Sequence, residues 1–379
     1  MVFVGDDNTP SGTWPNARFT VVDNTPVIRE KSYLVVDNSD NYSVIVSELK
    51  SNSKGTSWKP SSDGTGSDTS PSKTLPLSQF YVAQASQDNA DTLNIALQRN
   101  LHLLFTPGVY NLSQPIIVRN PNTVILGIGL ATLAATNGTP AMIVADVDGI
   151  TIAGLLFDAG ATMSPNLLQF GDVNPSTVDH STNPSVAFDI SFRVGGAADS
   201  ARTTSCMVIN SRHVILDNVW IWRADHGDSP TGWTVNPCLN GLIVNSDDVS
   251  AYGLFVEHHQ HTQTIWKGNG GIVYFYQSEE PYDVPNQAAW SQNGEKGYPS
   301  YKITDNVTTH TGKGLGIYCN FYNDVQLENA IESPSAPGIS LHHFLTLWLA
   351  GNSGSGINHL VNGGGAQVTQ TNRTSFSAD

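Results

Sequence analysis

Charge is scarce in this sequence. Only 13% of its 379 residues are Asp, Glu, Lys or Arg, about half the share usual for a soluble protein. Positive charge is scarcer still: 18 Lys and Arg stand against 33 Asp and Glu, a net charge of −15 with only nine Arg. Such a chain repels phosphate backbones and anionic lipid, which argues against nucleic acid and membrane as partners. No apolar run approaches the roughly 18 to 20 residues of a spanning helix. Cysteine is nearly absent, and Cys206, Cys238 and Cys319 form no Cys-x-x-Cys pair. That leaves no disulfide framework and argues against a structural zinc site; three buried thiols, or one disulfide and a free thiol, are expected. Residues Met1 to Asp7 offer neither a basic n-region nor an apolar h-region, so no signal peptide is expected in this stretch.

Apolar residues make up 39% of the chain, enough for a sizeable core, and Ser, Thr, Asn and 34 Gly fill the space that charges leave. Few charges and many neutral hydrogen-bonding groups suit a secreted protein that handles a neutral polar ligand such as a sugar. Residues 1–77 read as short extended segments and a linker, with Ser51 to Ser78 rich in Ser, Gly, Pro and Asp. One helix is expected, over 88–99, with Leu93, Ala96 and Leu97 on one face and Asp88 or Asp91 as N-cap. The fold class is therefore all-β.

From residue 78 to 379 a loose repeat recurs: a turn residue, alternating aliphatics, a Gly or Asn corner, another short strand. Val124, Ile150, Val214, Val249 and Val273 mark it at spacings of 26, 64, 35 and 24. The short spacings fit one coil of a parallel β-helix, and the longer ones fit a coil with an insertion or several coils. Corner Gly and Asn would take positive φ. The helix would cap the open end of the solenoid, where a strand edge is otherwise unpaired. The residues from Gly365 onward, poor in apolar side chains, read as a loose tail.

Chemistry concentrates in three stretches. In Val219-Trp-Ile-Trp-Arg-Ala-Asp, the aliphatics alternate with Trp220 and Trp222, which would then point outward, with Asp225 at the strand end. Glu257 follows Leu254 and Val256 in the same alternation. Glu279 precedes a proline-fixed turn that carries Tyr282. Asp225, Glu257 and Glu279 are 32 and 22 residues apart, as acids on successive coils would be. Coils stack about 4.8 Å apart, so such acids would stand about 5 or 10 Å from one another. Those values bracket the separations in retaining and inverting glycosidases, about 5–5.5 and 6.5–9.5 Å. The residue types alone leave open that the acids merely decorate a solvated face. Glu257, His259 and His261 share a strand face, but a cluster of this kind is more often structural than a metal site.

Gly253-Leu-Phe-Val-Glu-His-His-Gln, Tyr276-Gln-Ser-Glu-Glu-Pro-Tyr-Asp-Val-Pro-Asn-Gln-Ala-Ala-Trp and Trp222-Arg-Ala-Asp-His-Gly resemble glycoside hydrolase family 55, the β-1,3-glucanases or laminarinases. Leu104-Phe-Thr-Pro-Gly-Val-Tyr and Gly154-Leu-Leu-Phe-Asp-Ala-Gly also resemble family segments. The resemblance implies an inverting hydrolase of β-1,3-glucan, exo- or endo-acting with exo action expected here, built from two right-handed parallel β-helices with the active site between them. It implies Glu279 as general acid with Tyr282 as its neighbour, and Glu257 as a second active-site carboxylate. Trp222 and Asp225 would stack on and hydrogen-bond a terminal glucose, and either Glu257 or Asp225 would hold the attacking water. No cofactor and no metal are expected. This chain matches the inter-domain stretch and the second β-helix, so a second β-helix domain or subunit would complete the cleft. The alternative is a non-catalytic carbohydrate-binding or structural β-helix lacking its partner domain.

Overall fold

A computed structural model of the chain describes residues 1–56 and 73–377. Most of the expected linker therefore lies outside the described residues. Its ends are ordered as the strands Leu49–Ser53 and Lys73–Pro76.

The aliphatic rows build a right-handed parallel β-helix. One sheet runs in parallel from Phe80–Ala83 and His102–Phe105 through Val124–Ala135, Thr151–Ala159, Val186–Val194, Ile215–Arg223, Ser250–Glu257, Gly271–Glu279 and Thr309–Cys319 to Gly338–Trp348. A second parallel sheet stacks nine short strands, from Ile116–Val118 to Gly356–Val361. Successive coils contribute one strand to each sheet, a crossover arrangement that takes the right-handed sense. The strand Val186–Val194 is the extra coil inside the 64-residue spacing.

The long strands of the first sheet bend at a fixed place. Gly154, Asp189, Asn218, Gly253, Phe275, Gly314 and His343 all have positive φ and stack coil upon coil. After each bend the chain alternates strictly. At Val219, Leu254 and Tyr276 the side chain is buried, and two residues later Ile221, Val256 and Ser278 are buried too. The residues between them face outward. One continuous core fills the coil interior, with Phe157 and Phe192 stacked at 5.0 Å and Trp266 wholly buried.

The helix Ala90–Gln98 closes the first end of the solenoid, burying Ala90, Leu93, Ala96 and Leu97. Its N-cap is Asn89, not Asp88 or Asp91, because Asn89 and Thr92 form a reciprocal capping box. Asp88 instead accepts hydrogen bonds from Tyr81 Oη and the Gln84 N–H. The other end is closed by residues 366–377, which are no loose tail. Thr374–Phe376 pairs antiparallel with Gly338–Trp348, and Val368 is buried.

Residues 1–53 wrap the outside of the solenoid. Val2, Val4, Val22, Val27, Ile28 and Leu49 cover Val186, Ile215, Tyr252 and Tyr274. Tyr252 Oη donates to the Val27 carbonyl at 2.7 Å, and the Arg29 guanidinium donates to Asn183 Oδ1 and the Pro184 carbonyl. No described helix is long and apolar enough to cross a membrane.

Candidate active site

The bend fixes what stands on the outer face. Four residues beyond it, consecutive coils present Asp158, Arg193, Trp222, Glu257, Glu279 and Tyr318, each paired in register with the next. Two residues beyond it stand Trp220 and Gln277, beside that column. Glu257 and Glu279 are direct cross-strand partners, so their backbones are one strand spacing apart, about 4.8 Å.

Each member is held. Trp220 Nε1 donates to Glu257 Oε2 at 2.8 Å, and its indole stacks on that of Trp222 at 5.4 Å and 17°. Gln277 Nε2 donates to Glu279 Oε1 at 3.3 Å, and Tyr282 Oη donates to Glu279 Oε2. Tyr282 in turn packs edge-on to His258 at 4.4 Å and beside Tyr322 at 5.7 Å. Asp225 stands just past the end of its strand, outside the column. It contacts His226 Nδ1 at 2.8 Å and lies 3.9 Å from His258 Nε2.

The electrostatics separate the acids. Burial, then the negative charges of Glu257 and Asp225, push Glu279 up to about 7, against a smaller downward pull from Gln277. Glu257 is also raised, mainly by burial, but the Trp220 and Gln277 hydrogen bonds oppose the rise. Asp225 acts on both, so all three acids share one field. The next residue, Glu280, is wholly buried, and burial drives its carboxyl well up. The Glu-Glu tandem thus splits into one acid on the face and one in the interior. At the far end of the column, Asp158 receives both arms of Arg193 at 2.8 and 2.7 Å, so their charges cancel. A groove of about 330 Å³ leads from Trp220 and Trp222 past Arg193 and Leu156 toward Gly154 and Leu130.

Behind the face, a buried ion pair ties the pieces together. Arg223, 1% exposed, donates to both oxygens of Asp283 and to the carbonyls of Asn236 and His258. It joins the strand end carrying Trp222 to the turn carrying Tyr282. Arg223, Asp283, Tyr318 and Tyr322 are the members that the sequence reading missed. For Tyr318 a signal existed, since it is the fourth residue after Gly314, as Glu257 is after Gly253. Tyr322, 58% exposed, had no sequence signal.

Glu279, Glu257, Asp225, Trp222 and Tyr282 are thus all on one side of the solenoid. His259 and His261 do not share a face with Glu257, because the strand ends at Glu257 and the chain turns at His258, φ 65°. His259 is buried in the interior, while His261 stacks on Tyr298 at 4.1 Å. Among the described residues the three cysteines are buried thiols without a disulfide.

Residues 80–279 match the family model described as the LAM55 pectate lyase-like domain. An exo-beta-1,3-glucanase from Streptomyces sp. (strain SirexAA-E / ActE) is 43% identical over 365 residues, covering 96% of this chain and 58% of the relative. The solved structure of sacteLam55A from Streptomyces sp. SirexAA-E superposes with a TM-score of 0.92 at 40% identity, over all of this chain and 67% of that one. A glutamate-to-alanine variant of that protein, in complex with glucose, gives a TM-score of 0.93 over 66% of its chain, also at 40% identity. The chain spans 58% of the length of the curated relative it matches.

Proposed function

The chain belongs to the LAM55 family, glycoside hydrolase family 55, and on that footing we propose that it hydrolyses β-1,3-glucan from the chain end with inversion, Glu279 serving as general acid. The observation that carries this reading is the Glu257–Glu279 rung. Two carboxylates on adjacent coils, half-shielded from water, put one proton on Glu279 near neutrality. Glu279 protonates the glycosidic oxygen as the bond breaks. Water attacks the anomeric carbon from the opposite face, oriented by Glu257 or Asp225. Trp222 offers its indole face to the terminal sugar, with Trp220 stacked beneath it and holding Glu257. The charged side chains lining the groove are paired, Arg193 with Asp158 and Lys31 with Asp189, which suits a neutral polymer.

The same proposal places the protein outside the cell, where glucan polymers are found, with a second β-helix domain or subunit closing the face opposite Glu279. Glucose released from laminarin in its α form, observed by proton NMR before mutarotation, supports inversion. Glu279→Gln is expected to lower turnover on laminarin by about 10²–10⁴-fold with the fold intact. A variant that keeps wild-type turnover removes Glu279 from the role. The length of the chain relative to its relatives favours one second reading, a glucan-binding β-helix without turnover. That reading predicts oligosaccharide binding that weakens in Trp222→Ala and no glucose release at any protein concentration.

A further inference from the structure

Directly inside the coil from the carboxylate rung, three metal-ligating side chains meet. Cys206 lies on Thr203–Ile209, Cys238 opens the adjoining strand Cys238–Val244, and His259 lies in the corner two residues after Glu257. All three are 0% exposed. Cys206 Sγ, Cys238 Sγ and a ring nitrogen of His259 lie within 4.8 Å of one another. We propose that Cys206, Cys238 and His259 form a buried binding site for a thiophilic divalent cation, zinc being the ion that fits best.

The two sulfurs are 3.8 Å apart. Two Zn–S bonds of about 2.3 Å at a tetrahedral angle require an S···S edge of about 3.8 Å. A disulfide would instead need the sulfurs to close to about 2.05 Å. The imidazole is poorly satisfied where it stands. His259 Nδ1 has no hydrogen-bond partner, and Nε2 has one long contact, 3.4 Å, to the Ile221 carbonyl. A buried polar atom left so is unfavourable, and coordination would offset that cost. Metal-bound histidines commonly donate their second nitrogen to a backbone carbonyl, the contact Ile221 offers. A fourth donor is at hand in the Asn240 carbonyl, 3.4 Å from Cys238 Sγ.

Charge balances in the dry core. The two S–H protons leave to solvent, two Zn–S bonds form, and Zn²⁺ with two thiolates and a neutral imidazole sums to zero. Such an ion would cross-link three successive coils immediately behind Glu257.

The test is metal analysis of the whole chain refolded with zinc and dialysed. About one zinc per chain is expected, retained in Cys319→Ser and falling to background in the Cys206→Ser/Cys238→Ser double variant. Refolding wild type with Co²⁺ gives a second readout that does not depend on the double variant folding. Thiolate-to-cobalt charge-transfer absorption with strong visible bands is expected, and His259→Gln should alter those bands. Zinc below about a tenth of an equivalent in refolded wild type, with no thiolate–cobalt absorption, overturns the site. A mass two hydrogens light, marking a Cys206–Cys238 disulfide in the purified protein, overturns it equally.

Discussion

At residue scale, Glu279 is the acid of the outward column that its surroundings raise most. Its pKa of about 7 follows from burial and from two like charges, Glu257 and Asp225. If protonated Glu279 is the working form, kcat/KM falls along an alkaline limb centred near pH 7, and a pH–rate profile reads that limb directly. Tyr282 donates to Glu279 Oε2 and so favours its ionised form. Tyr282→Phe should therefore move the limb to higher pH while lowering kcat by up to about 10²-fold through lost positioning. A limb that stays in place would mean that the Tyr282 hydroxyl does not touch the acid in solution. The raised pKa also reaches stability. A carboxyl whose pKa rises from 4.5 to about 7 on folding costs nothing below pH 4.5. As pH rises to 7 the unfolded chain releases the proton that the folded chain still holds, so stability falls across that window. Thermal melts of Glu279→Gln should match wild type near pH 4 and exceed it above pH 7.

The element that delivers these residues is the bend in each coil. Alternation was legible in the sequence: Val219 and Ile221 inward with Trp220 and Trp222 outward is what the strand shows. The Gly and Asn corners were legible too, at Gly154, Asn218, Gly253 and Gly314. What could not be read was how the coils align. The next member of the column comes 22 residues after Glu257 at Glu279, but 39 residues later at Tyr318, because loops of unequal length intervene. Phe275 and His343 hid the rule further by taking positive φ without being Gly or Asn. The helix cap was misread for a local reason, since Asn89 lies between two aspartates of equal capping propensity and only its pairing with Thr92 decides. The bend makes its own prediction. A Cβ at Gly253 meets nothing closer than 3.9 Å, so substitution there costs only backbone strain. Gly253→Val should lose about 1–2 kcal/mol in denaturant melts. Gly253→Asn should lose much less, since Asn218 already occupies the same corner one coil away. Equal losses would mean that the corner is not left-handed in solution.

Across the whole molecule, the solenoid is closed at one end by the helix Ala90–Gln98 and at the other by Thr374–Phe376, and residues 1–53 cover part of its outside. Composition could not show that covering. The short strands of this segment look like a lead in sequence, yet their apolar side chains meet Tyr252 and Tyr274 on the solenoid. Tyr252→Phe removes the hydroxyl that holds the Val27 carbonyl. It should cost about 1 kcal/mol, with amide exchange rising first in residues 20–53. The outer face itself, by contrast, carries Trp220, 42% exposed, and the paired acids Glu257 and Glu279, and under the proposed function it is the face that meets sugar.

Whether Glu279 acts as an acid is decided by the leaving group's need for a proton. The measurement compares Glu279→Gln with wild type on two β-glucosides, laminaribiose and an aryl β-glucoside whose phenol departs without protonation. If Glu279 is the acid, the variant loses about 10²–10⁴-fold on laminaribiose and keeps near wild-type rates on the aryl glucoside. Equal loss on both substrates, or wild-type turnover of laminaribiose by the variant, would contradict that role.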